Sequence, residues 1–207
     1  MDEITIALAK GRLALDTIEL LNKVGIYFSE YQKGSRKLIF EDEETKIRII
    51  LVKAPDVPIY VEKGAADLGI VGKDTLMEAE ADVFEVMDLG FGRCKFAVAT
   101  IPGNRKPGRQ KLIVATKYPK VAKAFYAQKG YNVEIVQLNG SVELAPLAGL
   151  ADVIVDIVET GQTLKENGLV VVEEITQLSA RLVVNKASFK TKSQRIHHFI
   201  SNLQAKL

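Results

Sequence analysis

The sequence predicts an α/β protein of two lobes, each built on its own sheet. Three observations point there. Short apolar runs of strand length alternate along the chain with stretches whose apolar residues recur at helical spacing. The alternation restarts after Gly90-Phe91-Gly92, which divides the 207 residues into two parts of ordinary domain size. Hydrophobic residues make up 47% of the chain and charged residues 26%, enough apolar side chain to bury a core in each part.

Taken in order, Ile4–Ala9 reads as the first strand. Gly11-Arg12 breaks it, and residues 13–24 continue as a helix with Leu13, Ile18 and Leu21 on one face until Gly25 stops it. Residues 38–40 and Ile47–Val52 read as strands around a polar turn at 41–45. Pro55 opens a helix that closes near Gly64, and residues 67–71 follow as a buried strand. Beyond Gly92, residues 96–101, Leu112–Thr116, 133–138 and Val153–Val158 are strands, with helices at 120–128 and 142–147 between them. Residues 170–172 and 182–184 are further strands. A terminal helix, 191–207, opens on a Thr191…Gln194 capping box and carries Ile196, Phe199, Ile200 and Leu203 on one face. No internal repeat is visible, and the stretch from Pro102-Gly103-Asn104 to Pro107-Gly108 reads as a loop inside the second part. The first domain is expected to span 1–91, with 180–207 returning to it, and the second 92–179.

Charge and composition exclude several classes. A formal net charge of +2 does not announce a nucleic-acid or membrane partner. From 101 to 133 the chain carries Arg105, Lys106, Arg109, Lys111, Lys117, Lys120, Lys123 and Lys129 and no acid, a pattern that suits either an anionic ligand or a solvated basic face. Cys94 is the only cysteine, so an intrachain disulfide or a cysteine-based metal site is ruled out. The first residues, MDEITIALAKGRL, place acids where a secretion signal needs basic residues, and no stretch approaches the roughly 20 apolar residues that cross a bilayer. A cytoplasmic protein is expected. Adjacent His197 and His198 point to different faces of a helix and do not chelate one metal ion easily.

The strongest chemical signal is Asp152-Val-Ile-Val-Asp156-Ile-Val-Glu159-Thr160-Gly161-Gln162-Thr163-Leu164. A nearly all-apolar strand runs into a short turn, and a helix follows at once. Gly161 permits a tight turn and close backbone approach, while free N–H groups and the positive end of a helix suit a phosphate. Asp156 and Glu159 would repel that phosphate if they faced it, and make better sense as acceptors for sugar hydroxyls or a metal ion. A plainer reading makes Thr163 an N-cap in a Thr163…Glu166 capping box. Lys10 and Arg12 flank Gly11 after the first strand, where Arg offers a bidentate fork and Lys a mobile point charge. Arg93 and Lys95 stand in the same way beside Gly92. Lys73 and Asp74 start a helix after Gly72, with Asp74 as a possible cap. Ser141 reads as the cap of the 142–147 helix and Glu143 lies in its first turn, where the helix dipole favours a carboxylate.

The run from Glu143 through Gly149 to Asp156-Ile-Val-Glu-Thr-Gly-Gln-Thr-Leu resembles the signature of the ATP phosphoribosyltransferases. Ala9-Lys10-Gly11-Arg12-Leu13 is similar to that family's N-terminal basic turn. Asp67-Leu-Gly-Ile-Val-Gly72-Lys73-Asp74 resembles its second glycine-rich turn, and Gly90-Phe-Gly-Arg93-Cys94 its crossing between domains. The likeness covers essentially the whole chain, which stops where longer members continue into a regulatory domain, as the short form does. The resemblance implies two α/β lobes with a cleft between them, similar to the type II periplasmic-binding-protein fold. It implies that ATP and 5-phosphoribosyl 1-pyrophosphate condense to N1-(5-phosphoribosyl)-ATP and pyrophosphate, the first step of histidine biosynthesis. Asp156, Glu159, Thr160, Gly161, Gln162 and Thr163 would then hold phosphoribosyl pyrophosphate, with the second domain as its lobe. Lys10, Gly11, Arg12, Gly72, Lys73 and Arg93 would face the nucleotide, and Lys10, Arg12 and Glu143 would be catalytic. Mg2+ would ride on the pyrophosphate without direct protein ligands. The expected partner is a regulatory subunit resembling histidyl-tRNA synthetase, in a hetero-octamer.

Three other classes compete. A secreted two-lobed solute-binding protein would share the architecture but leaves the Glu-Thr-Gly-Gln-Thr turn unexplained. A nucleic-acid module on the 105–129 face would interleave more aromatics than Tyr118, Phe125 and Tyr126. Phosphoribosyltransferases for free bases place two adjacent acids before their phosphate turn, whereas Ile157-Val158 separates Asp156 from Glu159.

Overall fold

The computed structural model describes residues 3–32, 35–103 and 111–207. Arg105, Lys106, Arg109 and most of the expected loop at 102–108 lie outside the described residues. Two compact units form: lobe I, Met1–Gly92 with Ser179–Leu207, and lobe II, Arg93–Leu178. Lobe I begins with β1 (Ile4–Ala9), α1 (Arg12–Lys23), β2 (Ile39–Asp42), β3 (Ile47–Val52), a 3-10 turn (Ala54–Asp56), α2 (Val57–Glu62), β4 (Leu68–Gly72), α3 (Lys73–Ala79) and β5 (Phe84–Asp88). Lobe II holds β6 (Cys94–Thr100), β7 (Leu112–Thr116), α4 (Pro119–Gln128), β8 (Val133–Gln137), α5 (Leu144–Leu147), β9 (Val153–Val158), α6 (Gln162–Glu166) and β10 (Val170–Leu178). The chain then returns to lobe I with β11 (Ala180–Val184), α7 (Lys186–Thr191) and α8 (Ser193–Gln204).

Lobe I's sheet has the order β2-β3-β1-β4-β11-β5, with β1 parallel to β3 and β4 and with β11 antiparallel to β4 and β5. Side chains alternate across a strand, and both faces here are covered. Ile4, Ile6 and Leu8 of β1 join Ile18 and Leu21 of α1 and Ile196, Phe199 and Leu203 of α8 on one face. Ala7 and Ala9 face Val57 and Val61 of α2 on the other. Burial on both sides is why the parallel strands read as unbroken apolar runs. Each such leucine or isoleucine stabilises the lobe by about 1.5–3 kcal/mol.

Asp67 ties lobe I together. Its Oδ2 accepts the Thr5 N–H at 2.9 Å and the Lys192 ammonium at 2.8 Å, and its Oδ1 accepts the Ser188 hydroxyl at 2.7 Å. The Asp67 N–H donates back to Thr5 O at 2.8 Å, and the Asn185 N–H donates to Asp67 O at 2.9 Å. One buried residue thus joins the first strand to the returning helices.

Lobe II repeats lobe I, which corrects the expectation of no internal repeat. Its sheet order, β10-β6-β9-β7-β8, matches lobe I's β5-β11-β4-β1-β3 strand for strand in pairing and direction, with β6 opening lobe II where its counterpart β11 closes lobe I. Gly149-Leu-Ala-Asp152 stands where Gly64-Ala-Ala-Asp67 stands. Asp152 Oδ2 accepts the Ile113 N–H at 2.9 Å and the Asp152 N–H donates to Ile113 O at 2.9 Å, the same two bonds that Asp67 makes to Thr5. So little of the sequence is shared because each lobe needs only its buried pattern and this polar pin.

Other boundaries shift. β5 was not expected: Phe-Glu-Val-Met-Asp is acidic and half exposed at a sheet edge, so it lacks the signal of a buried strand. β10 is longer than 170–172, because its outer stretch is polar where it faces solvent. The terminal helix is split. Thr191 ends α7 with its hydroxyl donating to Ala187 O at 3.1 Å, so it caps nothing, and α7 is capped by Asn185, whose side chain accepts the Ser188 N–H at 2.8 Å. No helix among the described residues is long and apolar enough to cross a membrane.

Asp42, buried in β2, accepts the amides of Tyr27 at 3.0 Å, Glu44 at 3.1 Å and Thr45 at 3.4 Å. Burial pushes its carboxyl up, but the Tyr27 amide and the Thr45 and Glu44 groups outweigh it and leave the pKa below the ordinary value. A carboxylate with a lowered native pKa stabilises the fold fully above its unfolded value, near 4, and loses that contribution as pH falls through the native value. Asp42→Ala is therefore expected to cost about 1.5–3 kcal/mol at neutral pH. In urea titrations at decreasing pH, the gap between the two proteins should close below about pH 4.

Candidate active site

Parallel strands gather their following turns at one sheet edge, where ligands collect in open α/β sheets. In lobe I, Ala9 stands opposite Val52, and the Lys10 N–H donates to Val52 O at 2.9 Å. Gly11, at φ 105, then turns the chain into α1, whose first residue is Arg12. Lys10, Gly11 and Arg12 are exposed, and they line a cavity of about 710 Å3 with Tyr31, Gln32, Ser35, Arg36, Lys37, Leu38 and Phe40 among its other walls. Four cations, Lys10, Arg12, Arg36 and Lys37, border it, and no carboxylate is among its described lining residues. Lys37 also pairs with Glu30 and lies 5.5 Å from the Phe40 ring centroid. Arg36 and Lys37 carry no sequence signal, since they precede β2 on the far side of α1 and only the fold brings them to the basic turn.

The second lobe I turn is built differently. Gly72 leads directly into α3, and the Asp74 carboxylate folds back so closely that a Cβ at position 72 would lie 2.1 Å from Oδ1. A side chain at position 72 would have to displace the Asp74 carboxylate. The Lys73 ammonium pairs with Glu85, which Arg181 also approaches at 3.6 Å. Gly72 and Lys73 are not among the residues that line the Lys10–Arg12 cavity.

In lobe II, β9 ends at Val158 and an exposed turn separates it from α6. Asp156 is half-buried, with Oδ1 accepting the Ile157 N–H at 2.8 Å. Glu159, Thr160, Gln162 and Thr163 are exposed. Thr160 Oγ1 accepts the Gln162 N–H at 3.3 Å, and the Gln162 side chain donates to Glu166 at 2.8 Å. Gly161, not Thr163, is the residue before the helix, and at φ 76 it adopts the left-handed conformation. The capping-box reading of Thr163 therefore fails: Thr163 sits inside α6, because the glycine turns the chain two residues earlier. The N–H groups of Thr160, Gly161 and Thr163 donate to no acceptor among the described residues, which leaves three outward donors at the start of a helix. Glu143 is half-buried at the start of α5, and Ser141, at φ 46, turns the chain rather than capping the helix. Arg93 is exposed just before β6, and half-buried Lys95 pairs with Glu174.

Cys94 is half-buried at the start of β6. His197 Nδ1 lies 2.7 Å from Ser193 O, and the His197 ring packs against Phe189. Among the described residues no group of three or more His, Cys, Asp or Glu side chains is placed to hold a metal ion.

The class is that of a two-lobed α/β protein of the periplasmic-binding-protein fold. The periplasmic aliphatic sulphonate binding protein SsuA from Escherichia coli superposes with a TM-score of 0.60 at 14% identity, over 100% of this chain and 68% of that one, a likeness of fold alone. A family model described as ATP phosphoribosyltransferase matches residues 53–205. The ATP phosphoribosyltransferase of Oceanobacillus iheyensis is 53% identical over 203 residues, 98% of each chain, and that of Clostridium novyi 56% over 206 residues, 98% of this chain and 97% of that one. In the ATP phosphoribosyl transferase (HisG:HisZ) complex from Thermotoga maritima, one chain superposes with a TM-score of 0.85 at 36% identity, over 98% of this chain and 97% of that one. This chain belongs to the ATP phosphoribosyltransferase family, pentosyltransferases of the first step of histidine biosynthesis. Enzymes of the family generally use a metal ion.

Gly161→Ala places a side chain at a left-handed position, at a cost of about 1–2 kcal/mol. Thermal unfolding should show that loss, whereas Gly140→Ala, with open space around its Cβ and no left-handed φ, should lose less. Equal losses in the two variants would show that the Gly161 turn is not held in this conformation.

Proposed function

We propose that this chain is the catalytic subunit that condenses ATP with 5-phosphoribosyl 1-pyrophosphate to N1-(5-phosphoribosyl)-ATP and pyrophosphate, with lobe II holding the phosphoribosyl group. The observation that carries the reading is the turn at 159–163. It presents two threonine hydroxyls and three amides that meet no acceptor among the described residues, after a buried strand, a set of neutral donors suited to the 5′-phosphate. Asp156 and Glu159, flanking it, are acceptors of the kind that ribose hydroxyls need. Glu143, on the turn after β8 at the same sheet edge, is read as a further acceptor on the pyrophosphate or nucleotide side.

The lone pair of adenine N1 forms the new bond to the anomeric carbon as the bond to pyrophosphate breaks, its electron pair leaving with the oxygen. Adenine N1 needs no base. The cations Lys10 and Arg12, with the Gly11 amide between them, stabilise the negative charge that grows on the leaving group. Gly72, Lys73 and Arg93 are read as the remaining nucleotide contacts. Orientation of two polyanions supplies about 7–11 kcal/mol of the barrier reduction. Mg2+ bound to the pyrophosphate would add Lewis-acid stabilisation there, and the carboxylates of Asp156 and Glu159 are hard oxygen donors that suit its hydration shell. The similar Thermotoga maritima chain belongs to a HisG:HisZ complex, which supports a second subunit as partner; the reading takes that subunit to resemble histidyl-tRNA synthetase, in a cytoplasmic hetero-octamer.

Incubation with ATP, phosphoribosyl pyrophosphate and Mg2+, with and without that subunit, should release pyrophosphate, and EDTA should abolish the release. A folded sample inactive under both conditions refutes the assignment. Replacing Thr160-Gly161 by Val-Val should weaken calorimetric binding of phosphoribosyl pyrophosphate at least tenfold, from the loss of hydrogen bonds to a charged group at about 1.5–3 kcal/mol each. Unchanged affinity would remove the phosphate from this turn.

A further inference from the structure

The chain leaves lobe I after Gly92 and returns to it at Ser179. Both exits are tied down within lobe I close to the point of crossing. At the first, Phe91 O accepts the Ala180 N–H at 2.9 Å, and the Leu89 N–H donates to Ala180 O at 2.9 Å. The Phe91 side chain packs against lobe I's core. At the second, Ser179 O accepts the Lys73 N–H at 2.9 Å.

One carboxylate serves both exits. Asp88 ends β5, and its Oδ1 accepts the Gly90 N–H at 2.9 Å and the Ser179 hydroxyl at 2.7 Å. Its Oδ2 pairs with the Arg181 guanidinium at 3.0 Å, where the register of β11 on β5 sets the two residues opposite each other. Asp88 and Ser179 are 91 residues apart in sequence, with all of lobe II between them. Bonds to an ionised acceptor are shorter and stronger than neutral ones. Ser179 is buried, and a buried donor that loses its acceptor is costly, so the bond to Asp88 is not readily given up.

The proposed reaction joins a nucleotide, whose contacts are read mainly on lobe I, to a sugar held on lobe II. Each lobe can bind its own ligand whatever the exits do. The new bond forms only when both ligands are in line, and a misplacement of about 1 Å costs about 100-fold in rate. We infer that Asp88 is a positioning residue for this reaction, fastening both exits of the chain from lobe I, so that the joining step depends on it and the binding of either ligand does not. The inference rests on the reading that divides the two substrates between the lobes.

The test compares turnover with binding in Asp88→Ala and in the milder Ser179→Ala, which removes one donor and keeps the carboxylate. Turnover is read as steady-state pyrophosphate release with the regulatory subunit present. Binding is read by calorimetric titration of the full chain with ATP and, separately, with ribose 5-phosphate. In Asp88→Ala, kcat is expected to fall about tenfold or more, with both affinities at the parent's values. Ser179→Ala should lose less in kcat, again with unchanged affinities. Thermal melts establish which variants are folded, and if Asp88→Ala is not, the split between kcat and affinity in Ser179→Ala decides. An unchanged kcat in the folded variants overturns the role of Asp88 and leaves the proposed reaction in place. A fall in kcat matched by equal losses of affinity for both ligands also overturns it, because general damage to the lobes produces that pattern. A parent chain that releases no pyrophosphate defeats the reading beneath the inference, and the inference with it.

Discussion

The carboxylate of Asp67 is the constraint on which lobe I depends. It is buried among apolar strands and has taken three donors, one each from the first strand, α7 and the residue that joins α7 to α8. A buried carboxylate without such partners would be costly, so the three segments must meet for the residue to be tolerated. Asp152 applies the same rule in lobe II, pinning β9 to β7. Fixing the start of the central parallel strand fixes where it ends. The turns that carry the chemistry therefore inherit their position from an aspartate at the opposite end of the strand.

Much of the fold could be read from residue patterns, because strands covered on both faces leave unmistakable apolar runs. Ile4–Ala9, Leu112–Thr116 and Val153–Val158 were legible to the residue. What escaped notice lay where burial is one-sided or absent. The acidic edge strand Phe84–Asp88 presents no run, and the outer part of β10 is polar. The Thr191…Gln194 pair has the letters of a capping box, yet the helix break falls at Lys192 and Asn185 does the capping. The duplication was invisible for a related reason. Two lobes that share only a pattern of burial and a Gly-x-Ala-Asp pin have almost no residues in common to align.

The candidate site divides along similar lines. A turn that is contiguous in sequence, such as 10–12 or 159–163, announces itself. A cation brought in from elsewhere does not. Arg36 and Lys37 reach the Lys10–Arg12 cavity only through the packing of the segment before β2. Two turns that looked alike in sequence also differ in kind. At Gly72 the protein's own Asp74 lies against the glycine, whereas at Gly161 three amides meet no acceptor among the described residues.

The strand that completes each sheet arrives out of turn. β11, wedged between β4 and β5, is made after all of lobe II, and β6, which fills the same place in lobe II, is made first. On the ribosome, then, lobe II can close as soon as its own residues emerge. Lobe I must wait, with β4 unpaired on one side and β5 without a sheet to join, until synthesis has passed Val184. The order of birth runs opposite to the order of the sequence: the half that starts the chain is the last to be finished.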